Sequence, residues 1–108
     1  MSLSGFGQLT KEAKVMKEST PELYQAVVEG ATDRWGNDHQ MRLWEVNKQA
    51  KAFISIAKVN KETKNEPEKR QILNDAIVRW HVKGDMYQWD MIIWEYNKQL
   101  EAYQTMGL

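Results

Sequence analysis

Apolar residues recur every three or four positions along four stretches of the chain, a spacing that predicts amphipathic helices. Leu23, Ala26, Val27 and Ala31 form the first series, and Leu43, Val46, Ala50, Phe53 and Ala57 the second. The third is Ile72, Leu73, Ala76, Ile77 and Trp80, and the fourth is Ile93, Tyr96, Leu100 and Tyr103. A weaker series in residues 8–18 (Leu9, Ala13, Val15, Met16) predicts a short accessory helix, and no stretch predicts a strand.

Punctuation between the series agrees with them. Ser19-Thr20-Pro21-Glu22 and Asn65-Glu66-Pro67-Glu68 each offer a capping acceptor, a residue with helical φ and an early acid for the helix dipole. Gly36-Asn37-Asp38 and Gly84-Asp85 predict turns in which the Gly ends one helix and the Asp caps the next. The two longer helices are expected over about residues 39–60 and 86–105, each about 30 Å long. The segment 60–66 is polar throughout and reads as a connector.

The second and fourth series are copies. Residues 41–53 and 91–103 are identical at seven of thirteen positions: Met, Trp, Glu, Asn, Lys, Gln and Ala. The same offset of fifty aligns Leu23 with Leu73, Ala26 with Ala76 and Val27 with Ile77. A lone hairpin cannot bury its apolar face, so two stacked hairpins are expected to shield one another. The reading is an all-α fold, a four-helix bundle made of two repeated helical hairpins with a short extra N-terminal helix. The expected organisation of the single domain is an arm at 1–18, repeat 1 at 19–60, a connector at 61–67 and repeat 2 at 68–108.

On a helical wheel the identical residues avoid the predicted core side. Met41, Trp44, Glu45, Lys48 and Ala52 gather on the opposite face, as do Met91, Trp94, Glu95, Lys98 and Ala102. Trp is enriched at interface hot spots because one side chain brings a large apolar area and a donor. The repeated face is therefore expected to carry protein contacts through Met41, Trp44, Glu45 and Lys48 and through Met91, Trp94, Glu95 and Lys98. The competing expectation packs this Trp face against the shorter helices. Asn47 and Asn97, at the edge of the core face, are candidates for a mutual register-fixing bond.

Composition and charge narrow the function. Lys plus Arg equal Asp plus Glu at 15 each, so bulk charge draws the chain toward neither nucleic acid nor anionic lipid. Charge is nevertheless split. Residues 39–61 carry +4 (Arg42, Lys48, Lys51, Lys58 and Lys61 against Glu45), and residues 85–103 carry −3 (Asp85, Asp90, Glu95 and Glu101 against Lys98). There is no Cys, hence no thiolate chemistry, and no apolar run of membrane-spanning length. Neither His39 nor His81 follows a Glu by three residues, as a ferritin-type di-metal site would need.

No cofactor and no catalytic set is expected. The function expected is a non-enzymatic interaction module (an adaptor, inhibitor or assembly subunit), cytoplasmic, forming a homodimer or binding another protein. The alternative is a nucleic-acid-binding protein that uses Arg42, Lys48, Lys51 and Lys58.

Overall fold

A computed structural model describes residues 7–107; residues 1–6 of the expected N-terminal arm and residue 108 lie outside the described residues. The fold is all-α apart from one very short strand pair. Its elements in chain order are α1 (Lys11–Ser19), α2 (Pro21–Trp35), α3 (His39–Glu62), α4 (Pro67–Arg79), β1 (His81–Lys83), β2 (Met86–Tyr87) and α5 (Trp89–Met106).

Both prolines stand in the first turn of their helices, as the sequence predicts. The caps follow the prediction only in part. Asp38 does cap α3, accepting from the Met41 amide at 3.1 Å. Thr20 does not cap α2, because its hydroxyl donates back to the Met16 carbonyl at the end of α1. α1 is capped by Thr10, whose hydroxyl accepts from the Ala13 amide.

The largest departure lies between α4 and α5. A single Gly-Asp turn linking helices was expected, but residues 81–87 form an antiparallel hairpin with His81 opposite Tyr87 and Lys83 opposite Met86. Gly84 takes φ +49° at the first turn position, a conformation that suits Gly in a two-residue hairpin connection. Asp85 therefore sits in the turn and caps nothing; Gln88 precedes α5. Trp80, expected within the helix of the third series, instead ends α4, and its carbonyl accepts from the Gln88 amide at 3.0 Å. A strand pair this short leaves too few alternating positions to be seen by periodicity.

α3 is the central element and packs against α1, α2 and α5, while α4 packs against α5. Trp89 meets Phe53 edge-on, with ring centres 4.9 Å apart, and Asp90 is bonded to Gln49, so α5 starts beside the middle of α3. Tyr96 lies near Glu62 and Glu66 at the far end of α3. The two long helices thus run in the same direction with a stagger, and the molecule is elongated at 53 × 29 × 24 Å.

The core threads all five helices: Met16 on α1, Val27 and Ala31 on α2, Val46, Ala50 and Ile56 on α3, Leu73 and Ala76 on α4, and Trp89, Ile92 and Tyr96 on α5. Met16, Leu73 and Ile92 are fully buried, each contributing about 1.5–3 kcal/mol by leaving water. Two α3 positions correct the predicted core: Ala57 is exposed, whereas Ala52, assigned to the opposite face, is buried. A helix with neighbours on three sides has no single buried stripe, so a two-faced wheel misplaces part of it.

Burial raises the pKa of the Tyr24 hydroxyl. It does the same for Tyr96, with Lys69 opposing and Glu66 and Glu62 adding to the effect. A phenol whose folded pKa exceeds its unfolded value stabilises the fold fully below the unfolded pKa, and that contribution is lost as pH rises through the folded value. Stability is therefore expected to fall above pH ~10. The fall should be shallower in Tyr24→Phe plus Tyr96→Phe, measured by urea midpoints between neutral and strongly alkaline pH. An equally steep fall in that variant would refute the assignment.

Candidate functional site

The repeated Trp-Glu motif sits at the same place in both long helices, and each copy is anchored from below by the preceding helix. Glu45, which the sequence places on the outer face, is only 4% exposed. Its Oε1 accepts from the Trp35 indole at 3.3 Å and lies 3.6 Å from Arg34 and 3.5 Å from Lys48. Its Oε2 accepts from Gln49 at 2.8 Å. Glu95 repeats the arrangement: its Oε1 accepts from the Trp80 indole at 2.9 Å, and Arg79 reaches its Oε2 at 3.2 Å. In both copies an Arg-Trp pair at the end of the shorter helix clasps the Glu of the longer one.

The clasps explain how Glu45 and Glu95 can be buried, since a buried carboxyl group must find partners. They also fix the rotation of α3 and α5, and so the direction in which the neighbouring Trp points. Trp44 remains 51% exposed and Trp94 53% exposed. The expectation that this face packs against the shorter helices is met in part: Glu45 and Glu95 are held by residues at the ends of α2 and α4, while the two indoles stay half-exposed. Trp44 touches Trp35 edge-on at 6.4 Å and carries the Lys48 ammonium 4.4 Å over its ring. Lys98 lies over Trp94 at 6.0 Å. Met41 and Met91 are half-buried beside them.

The two copies differ in what surrounds them. On α3, Lys48 also pairs with Asp90 of α5 at 3.3 Å, and Gln49 donates to Asp90 Oδ1 at 2.8 Å while accepting from the Asp90 amide at 3.2 Å. The opposite charges of the long helices thus meet within one chain at this point. On α5, Lys98 and Gln99 are exposed. Asn47 and Asn97 are not partnered with each other. Asn47 accepts from the Thr10 amide at 3.0 Å and donates to the Gln8 carbonyl at 3.1 Å, tying the segment before α1 to α3, while Asn97 is exposed.

Lys48, Lys51 and Lys58 lie within about 80° of one another around α3. Arg42 bonds the His39 ring at 3.1 Å, Lys48 is engaged by two carboxylates, and Lys51 and Lys58 are exposed. Arg42 and Lys51 lie about 180° apart around the helix. His81 contacts the Gly84 carbonyl at 2.9 Å within its own hairpin. Among the described residues no group of three or more His, Asp and Glu side chains is placed to hold a metal ion.

A cavity of about 300 Å³ opens between α2, α3 and the β-hairpin, with Gly30, Ala31, Val82 and Met86 on its apolar side and Arg34, Glu45 and Gln49 on its polar side. A Cβ at Gly30 would make ordinary van der Waals contact with Met86 Sδ at 3.5 Å. Arg34 and Gln49 are both already held by Glu45 of the first clasp, and Asp33 and Gln88 complete the polar lining.

The clasp was legible in one signal that the offset of fifty hides. Arg34-Trp35 recurs as Arg79-Trp80 at an offset of forty-five, and Ala31 and Ala76, both buried, share that shorter offset. The β-hairpin takes up the difference between the two registers. No protein-family model, curated protein or solved structure matches the chain. Fold and site define it as an all-α protein with a duplicated Arg-Trp/Trp-Glu clasp, and no helix among the described residues is long and apolar enough to cross a membrane.

Proposed function

We propose that the protein is a non-enzymatic protein–protein interaction module that self-associates through its Trp-bearing helix faces. The supporting observation is the pair of half-exposed indoles at equivalent positions, each beside a buried carboxylate clasp. A large aromatic left in water on a rigid helix is the anchor type that dominates binding energy at interfaces. In this reading the two hairpins are copies of one unit in a four-helix arrangement. An adaptor or assembly subunit in the cytoplasm is the role that suits such a unit.

The test is the Trp44→Ser plus Trp94→Ser variant. Because both side chains lie outside the core, helicity by circular dichroism is expected to stay within about a tenth of the wild type. The light-scattering mass is expected to fall to that of one chain. Unfolding of the variant, or self-association unchanged in it, would overturn the proposal.

A further inference from the structure

The two Trp faces continue differently along their helices. On α5, Met91, Trp94, Lys98, Glu101 and Thr105 follow at alternating spacings of three and four, the spacing of a helix-pairing seam. Trp94, Lys98, Glu101 and Thr105 are exposed, and among the described residues neither Lys98 nor Glu101 forms an ion pair within the chain. On α3 the corresponding seam is Met41, Trp44, Lys48, Lys51 and Ser55, with Lys where α5 has Glu101. Lys48 is already held by Glu45 and Asp90.

Antiparallel pairing of two identical seams is self-complementary only on α5. Aligned about a two-fold axis between positions 99 and 100, each Lys98 faces a Glu101 and each Trp94 faces a Thr105, next to the exposed and small Ala102. The same alignment of two α3 helices sets Lys48 against Lys51 and repels. We propose that the chain forms a two-fold homodimer in which α5 lies antiparallel to α5 of a second copy, with reciprocal Lys98–Glu101 pairs flanked by Trp94. This rests on the reading that the Trp faces self-associate, and it assigns that association to Trp94 alone. One helix pair covers less than the ~1,200 Å² of a standard interface, so the dimer is weak and exchanges readily.

The experiment is sedimentation equilibrium at low salt. Lys98→Glu places Glu against Glu and Glu101→Lys places Lys against Lys, so each variant alone is expected to dimerise about tenfold more weakly. Both substitutions sit at exposed positions, and circular dichroism verifies that the variants fold. Mixed in equal amounts, the two variants regain both pairs and are expected to associate within about threefold of the wild type.

Trp94→Ser is expected to weaken the dimer more than about tenfold, and Trp44→Ser less than about twofold. Failure of the mixture to recover overturns the antiparallel arrangement. Loss of association in Trp44→Ser as large as in Trp94→Ser also overturns it, pointing to α3 against α5 of the second copy, and leaves the broader function standing. A wild type that stays monomeric at millimolar concentration overturns both.

Discussion

Replacing Ile92 with Ala is expected to cost about 2–5 kcal/mol of folding free energy. Ile92 is fully buried on α5, among the residues that join α5 to α3 and α4. Deleting its outer carbons removes their transfer free energy and leaves a cavity that helices anchored on several sides cannot collapse. For a domain of this size the loss is a large share of the ~5–15 kcal/mol that holds such folds together.

The repeat sharpens this expectation. The equivalent α3 position holds Arg42, half-buried and bonded to His39. Importing that residue as Ile92→Arg should therefore unfold the chain, because a guanidinium would lose its water without a partner. Arg42→Ile should change stability by less than ~1 kcal/mol. Urea denaturation followed by circular dichroism decides it. A loss under ~1 kcal/mol for Ile92→Ala would show that α5 is not seated as described.

Glu45→Ala is the second large effect, expected at about 2–4 kcal/mol. The substitution removes the acceptor for the Trp35 indole and for Gln49 and the anion facing Arg34 and Lys48. Arg34 is half-exposed and rehydrates, so its share is small. The indole and the buried Gln49 amide have less access to water and account for most of the loss. Glu45→Gln keeps an acceptor for Trp35 and should cost about half as much. Glu95→Ala should also cost less, since Glu95 holds only Trp80 and Arg79. Equal losses at Glu45 and Glu95 would mean that the Gln49–Asp90 connection adds nothing to the first clasp.

These contrasts show how much of the site could be read beforehand. The identity of Trp44 with Trp94 and of Glu45 with Glu95 marked the right helix positions, and both indoles do face water. The same wheel placed the two Glu side chains outside with the Trp, and there it failed. A carboxylate is assigned to solvent by its hydration, and only a partner from another element reverses that. The partners, Arg34-Trp35 and Arg79-Trp80, sit at a different offset from the repeat and escape comparison in a single register.

Local chemistry determined the helices themselves. Pro21 and Pro67 start helices because their φ is already helical, and Asp38 caps α3 because its carboxylate reaches the Met41 amide. The spacing of Leu23 to Ala31, Val46 to Phe53, and Ile72 to Ala76 named helix faces that do enter or border the core. All of these are interactions within a few residues, which a linear reading contains in full.

Tertiary structure alone decided which copies of the repeat are covered and which are open. Gln49 is buried where α5 begins beside it, and Ala52 is buried one turn on, while Gln99 and Ala102, the same residues in the second copy, are exposed. The hairpin at 81–87 and the bond from Asn47 to the backbone before α1 were decided in the same way. Burial depends on which helix arrives from elsewhere in the chain, and identical sequence placed next to different neighbours meets different amounts of water.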